Sequence, residues 1–289
     1  MEKLKMETWP SGITTISGGN RTTIKLSRPW QKDIEMNPKT CPFCTRKQKV
    51  LDEYKNDKGE KWQLIQNLYT PFPYHKMVIP RLCGEENKWP KEEIRRLGGI
   101  ARIKKALQIA SIELNSQDAL NRFIQLQIHV GPYAGQTIGH LHYHFLEQVP
   151  QPKPLATLMN LGIYAVENPA SEIFESDNWT INVGGERAGQ CYIIPKEKPV
   201  DFDTTAIEEM ANLIASLIHI YEKSFTSEQG LAPDYMIVIR FMERKICYGT
   251  YVPILNQWGG TEYMGLTEGT SIVLPWPHEE TAKYIKGGK

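Results

Sequence analysis

Short apolar runs punctuated by Pro, Gly and Asn set the pattern of this chain. Trp62 to Asn67 reads as a strand, and Lys76 to Pro80 reads as a second one after a turn marked by Pro71 and Pro73. The two are expected to lie antiparallel. From Pro90 the period lengthens: Ile94, Leu97, Ala101, Ile103 and Leu107 give one apolar side, which predicts a helix over roughly Lys91 to Asn115, weakened at Gly98 and Gly99. Phe123 to Val130 and Leu141 to Val149 return to strand character on either side of a Gly-containing loop.

The second half runs through the same order. An extended segment around Trp179 to Val183 precedes Cys191 to Pro195, a helix over about Thr205 to Phe225, and strands at Tyr235 to Phe241 and Tyr251 to Leu255. Gln190 to Pro195 can be laid beside His75 to Pro80, and Tyr251 to Gln257 beside His142 to Gln148. Five elements in one order predict a duplication. The expected class is α+β: two tandem repeats, each an antiparallel sheet with a long helix packed on it. Residues 41–150 form the first and 151–289 the second, with the seam at Pro150 to Pro154. Residues 1–40 read as an irregular arm with one candidate strand at Thr22 to Leu26. The second copy keeps no His of the first, so imidazole chemistry is expected in the first alone.

Composition narrows the function. Thirty-four Lys plus Arg against 33 Asp plus Glu leave a net charge of +1 over 289 residues, and the basic run at Arg46, Lys47 and Lys49 is short. A nucleic-acid partner is therefore not expected. The longest stretch without Asp, Glu, Lys or Arg, Phe123 to Leu146, holds four His, three Gln and three Gly, which excludes a membrane span. No secretory-type apolar block opens the chain, so the expected location is the cytoplasm. In such a reducing compartment Cys41-Pro-Phe-Cys44 points to metal or redox chemistry before a disulfide, while Cys83, Cys191 and Cys247 read as buried thiols.

His140-Leu-His142-Tyr-His144 carries the chemistry. On a strand, alternate residues share a face, roughly 7 Å apart, so one imidazole can bind a metal while the next stays free. A structural zinc needs four N or S ligands. Cys41 and Cys44 supply two, and His75 and His140 complete the set, making the zinc structural and not catalytic. That leaves His142 as a nucleophile toward phosphorus and His144 to protonate the departing group or hold a phosphate oxygen. The preceding loop, Gly131 to Thr137, is small enough for backbone amides to approach an anion, with the Thr137 hydroxyl as a donor.

Taken in order, Cys41 to Cys44, Asn67, Pro73-Tyr-His75-Lys-Met-Val-Ile-Pro80 and Gly135-Gln-Thr-Ile-Gly-His140-Leu-His-Tyr-His144 resemble the histidine triad superfamily. Two copies, the second without the His residues of the first, resemble the branch that contains galactose-1-phosphate uridylyltransferase and diadenosine tetraphosphate phosphorylase. The resemblance implies two HIT-like repeats and a two-step reaction. In it His142 attacks the α-phosphate of a nucleotide, a nucleotidyl-histidine forms, and an acceptor takes the nucleoside monophosphate. It also implies Asn67 near the nucleotide, His75 and His140 on the metal, and Gly135, Gln136 and Thr137 on the phosphate.

Two departures bear on the acceptor. The uridylyltransferases carry Gln where this chain has His144, and Glu262-Tyr-Met-Gly265 puts an acid where they hold a sugar phosphate with Lys. The expected partners are thus a small-molecule nucleotide and an acceptor that is phosphate, a sugar phosphate or water. Two alternatives stand beside a nucleotidyltransferase: a dinucleoside polyphosphate or nucleoside phosphoramidate hydrolase, and a zinc-stabilised nucleotide-binding module without catalysis. A homodimer is allowed, iron competes with zinc for the metal, and His129 has no assigned role.

Overall fold

In the computed structural model, the residues described are 5–8, 14–17, 39, 41–45, 48–55, 59–68, 70, 72–80, 100–119, 122–131, 134–136, 138–147, 167, 169–184, 189–225, 233–242, 244–255 and 278–287. Apolar residues at every second position build most of the strands: β1 Lys5–Thr8, β2 Thr14–Ser17, β3 Val50–Lys55, β4 Lys61–Gln66, β5 His75–Pro80, β6 Ile124–Val130, β7 Tyr143–Glu147, β8 Glu172–Glu175, β9 Trp179–Val183, β10 Cys191–Pro195, β11 Val200–Asp201, β12 Asp234–Met242 and β13 Lys245–Ile254. The helices are the single turn α1 Pro42–Thr45, α2 Ile100–Leu114, α3 Thr204–Phe225 and α4 His278–Ile285.

All strands from β3 onward join one antiparallel sheet in the order β3-β4-β5-β7-β6-β12-β13-β10-β9-β8, with β11 added on β13. That order is palindromic in connectivity. β6 and β12 meet in the middle, and moving outward from them each half uses its strands in the same sequence, with α2 or α3 inserted before the central strand.

β6 explains how the layers form. Ile124, Leu126, Ile128 and Val130 enter the main core, whereas Gln125, Gln127 and His129 occupy the opposite face. Helix α2 covers the apolar face through Ile103, Ala106, Leu107, Ile109, Ala110 and Leu114, spaced by three and four residues, and α3 does the same through Ile207, Met210, Leu213, Ile214, Leu217 and Tyr221. The two helices also touch each other, with Lys104 paired to Glu208. Both helices therefore lie on one side, and the face with the polar β6 residues is where the chemistry sits.

Two polar latches hold helices to strands. Glu113, buried in α2, accepts from the Tyr74 hydroxyl, from the Lys76 ammonium on β5 and from Ser116 Oγ at 3.1 Å, while Asp118 meets the same ammonium at 3.1 Å. Burying the Lys76 charge is tolerable because these carboxylates compensate it. On α3, Glu209 accepts from Ser176 Oγ at 2.6 Å, from the Asn178 amide side chain at 2.8 Å and from the Trp179 indole at 3.2 Å, and these bonds hold its carboxyl below the usual range despite partial burial.

Several expectations are revised. The amino-terminal arm contains a two-stranded pairing of β1 with β2, which suits the β-branched Thr14, Thr15 and Ile16. The candidate strand at Thr22 to Leu26, the first turns of the Lys91–Asn115 helix and the Pro150–Pro154 seam lie outside the described residues, and within them the helix starts at Ile100. The last strand begins earlier than expected, at Lys245. Tyr251, laid beside His142 in the sequence, belongs to the core, so its face is that of Tyr143; Thr250 is the β13 residue on the side of His144. None of the described helices is long and apolar enough to cross a membrane.

Candidate active site and metal site

Cross-strand pairing aligns His144 on β7 with Gln127 on β6, Val238 on β12 and Thr250 on β13, so these four share one face. His140 and His142 precede β7 instead of lying in it, which corrects the picture of three imidazoles on one strand. The segment turns His140 aside while keeping the rings on one side: Phe43 of α1 lies edge-on to both, with centroids 5.4 Å from His140 and 5.3 Å from His142.

His140 meets the cysteine pair. Its Nδ1 lies 3.6 Å from Cys41 Sγ and 3.5 Å from Cys44 Sγ, and its Nε2–H donates to the Pro80 carbonyl at 2.7 Å. The carbonyl can only accept, so Nδ1 presents its lone pair to the sulfurs. A tetrahedral zinc with sulfur at about 2.3 Å and nitrogen at about 2.0–2.1 Å separates those two atoms by roughly 3.5 Å, the spacing found. Cys41, Cys44 and His140 thus fit a zinc-type ion when both cysteines are reduced. Cys191 and Cys247 are outside any disulfide and buried, as expected, and Cys41 is likewise free and buried, whereas Cys44 is disulfide-bonded, contrary to expectation. Cys83 lies outside the described residues.

His75 does not join them. It sits at the far end of β5 from Pro80, five residues or roughly 16 Å along the strand from the carbonyl that holds His140. Its ring instead contacts Thr70 Oγ1 at 2.6 Å through Nδ1 and His144 Nδ1 at 2.9 Å through Nε2, with the Asn67 side-chain amide 3.3 Å from both ring nitrogens. Assigning His75 by elimination as a metal ligand therefore fails on distance along the strand.

His142 is buried, and its Nδ1–H donates to the His140 carbonyl at 2.7 Å, which leaves the lone pair on Nε2. Burial lowers the pKa of His142 to about 4 and that of His75 to about 4, and pushes His144 and His129 down as well, so four neighbouring imidazoles are neutral at pH 7. Their ring centroids are 4.8 Å apart for His142 and His144, 5.1 Å for His75 and His144, and 5.8 Å for His129 and His144.

The loop before this row is built from within. Gln136 is buried: its side-chain oxygen accepts from Gly131 N at 2.8 Å and its amide donates to the Ile138 carbonyl at 3.1 Å, so it staples the loop and does not reach outward. His129 Nδ1–H donates to the Ala134 carbonyl at 2.7 Å, which gives this residue a role as a loop clamp. Gly131 has φ +92° and Gly135 φ +87°, and a β-carbon built on Gly131 would stand 2.0 Å from the Asp234 carboxyl carbon. Asp234 belongs to β12, so the second half supports the loop of the first. Thr137 and Glu262 to Gly265 lie outside the described residues. The alternation Ile124-Gln-Leu-Gln-Ile-His-Val130 could have flagged His129 as part of a polar strand face; nothing local marks Thr70 or Asp234.

On the matching face of the second half, Arg240 donates to Thr250 Oγ1 at 3.0 Å and lies over the Tyr248 ring at 4.8 Å, and the described strands there carry no His.

No family model matches the sequence, and no curated protein matches it significantly. Solved structures do. The chain is similar to an ADP-glucose phosphorylase from Arabidopsis thaliana with bound ADP-glucose, at 17% identity and a TM-score of 0.63 over 98% of each chain. It is similar to a galT-like protein from the same plant, at 18% identity and 0.60 over 85% of this chain and 90% of that one. A yeast Ap4A phosphorylase in complex with Ap4A follows at 13% and 0.51, covering 88% and 73%. The chain thus shares the fold of these structures.

Proposed function

We propose that the chain is a nucleotidyltransferase that cleaves a nucleotide phosphoanhydride at the α-phosphate through His142. The observation that carries this reading is the hydrogen bond from His142 Nδ1 to the His140 carbonyl, because it fixes the lone pair of a neutral imidazole on Nε2. Attack forms the Nε2–P bond and breaks the bond from phosphorus to the bridging oxygen, whose electron pair leaves with the diphosphate or sugar-phosphate portion. Phosphate, a sugar phosphate or water then takes the nucleoside monophosphate from the imidazole. Gly135 and Thr137 belong with the phosphate and Asn67 with the nucleotide in this reading, while Gln136 serves the loop from inside.

The two halves are read as a duplication with a degenerate second copy. This is supported by the mirrored strand order and by Arg240, Thr250 and Tyr248 standing on the face where the first half carries imidazoles. Cys41, Cys44 and His140 would hold a structural zinc in the reduced chain, with the ion supplying a fixed anchor for the segment that carries His142 and no part of the reaction.

Incubation with ADP-sugars, UDP-sugars and dinucleoside polyphosphates, each with and without phosphate, tests the reading. Intact mass after quenching should show a nucleoside monophosphate adduct that His142→Ala abolishes; turnover without any adduct would refute it. Product identity separates the hydrolase reading, since phosphorolysis of a dinucleoside polyphosphate releases a nucleoside diphosphate and hydrolysis a monophosphate.

A further inference from the structure

His75, displaced from the metal, has a hydrogen-bond arrangement whose direction can be worked out. Thr70 Oγ1 accepts from Phe72 N at 3.0 Å and faces His75 Nδ1 at 2.6 Å. If His75 carried its proton on Nδ1, that oxygen would accept twice and its own proton would turn to solvent. With the Thr70 hydroxyl donating to His75 Nδ1, the oxygen accepts one bond and donates one, and the Asn67 side-chain amide, 3.3 Å away, can donate to the same nitrogen. The His75 proton then resides on Nε2 and donates to His144 Nδ1 at 2.9 Å. A neutral His144 with Nδ1 accepting must carry its proton on Nε2, the one nitrogen of the two rings with no hydrogen-bond partner among the described residues. Burial keeps both rings neutral.

We propose that Thr70 and His75 are positioning residues that fix His144 as an Nε2–H donor to the oxygen departing from phosphorus. This rests on the proposed nucleotidyl transfer through His142, whose ring lies 4.8 Å from that of His144. The donor stabilises developing negative charge by a hydrogen bond and transfers no proton, so His144 remains neutral. The demand for it scales with the basicity of the leaving group: a phosphate or nucleotide oxygen needs the bond, while a nitrophenolate, already a stable anion, does not.

The experiment has a spectroscopic and a kinetic arm. In protein with 15N-labelled histidine, two-bond ring correlations should show His144 protonated on Nε2, and Thr70→Val or His75→Leu should let the Nδ1–H tautomer appear. With a natural phosphoanhydride, His75→Leu should lower kcat on the order of 10²-fold with KM little changed. A nucleoside monophosphate nitrophenyl ester should lose under about threefold, and His75→Gln, whose amide can restore the donor, should recover most of the loss. Equal losses on both substrates, or a wild-type His144 protonated on Nδ1, would overturn the proposal. The tautomer is read without turnover, so failure of the nucleotidyl-transfer reading would show separately, as absence of the His142 adduct.

Discussion

Gly131→Ala is the most informative single change, because the structure supplies a matched control in Gly135→Ala. Both glycines have φ near +90°, so each alanine bears the strain of a left-handed backbone, about 1–2 kcal/mol. They differ in space. The new methyl at position 135 would meet nothing nearer than His129 Nδ1 at 3.6 Å, an ordinary contact, whereas at 131 it would stand 2.0 Å from the Asp234 carboxyl carbon and from one carboxyl oxygen. Separation to a normal contact needs roughly 1.5 Å of movement, and overpacking of this kind costs about 1–3 kcal/mol. Urea unfolding should therefore place Gly131→Ala about 1–3 kcal/mol below Gly135→Ala. A loop shift of that size should also slow nucleotidyl transfer on the order of 10²-fold. In Gly131→Ala/Asp234→Gly the steric part should be returned and the strain kept. If the two single variants unfold at the same urea concentration, Asp234 does not bear on the loop and the reasoning is wrong.

Four further outcomes are expected. Purified under reducing conditions, the protein should contain one zinc per chain by elemental analysis; Cys41→Ser and His140→Ala should lose it and His75→Ala should keep it, and Cys83→Ser tests whether the cysteine three residues beyond Pro80 supplies the fourth donor. Acid should destabilise the fold through His75: its pKa is depressed, so its contribution is complete above about pH 6.5 and falls away toward pH 4, with about 2 kcal/mol gone by pH 5, measured as a pH-dependent difference in urea unfolding between wild type and His75→Gln. Glu113→Ala strands the buried Lys76 ammonium and Tyr74 hydroxyl and should cost roughly 3 kcal/mol, with Asp118 limiting the loss; Lys76→Met/Glu113→Leu should recover more than half in the same assay. The His142→Ala variant should keep the wild-type unfolding free energy to within about 1–2 kcal/mol while forming no adduct, checked by mass and by denaturation.

The elements most legible in the sequence are those whose side chains alternate or recur at helical spacing over one buried face. β6, β10 and α3 carry that signal and fall within a residue or two of where the pattern puts them. β3 and β8 do not: Val50 and Leu51 are exposed on an edge strand, and neither edge has an apolar face long enough to count. The grouping of Cys41, Cys44 and His140 could be read because ligand chemistry restricts the residue types. His75 could not be excluded from it, since its distance from His140 depends on where along β5 the loop returns, a long-range fact. The offset of Tyr251 has the same origin. A strand's facing changes completely with a shift of one residue, and only the core contacts of Tyr251 and Cys191 decide it.

The β6–β12 junction makes the two halves inseparable in practice. Six residues of β6 pair directly with β12, so expressing the first half alone would uncover a central strand as a long, apolar-backed edge, inviting self-association. The same cut would remove Asp234 from beneath the glycine that opens the loop before the histidine row. A fragment carrying every imidazole of the candidate site would therefore be expected to aggregate or lie idle. The second half is thus the wall against which the first half's loop is built.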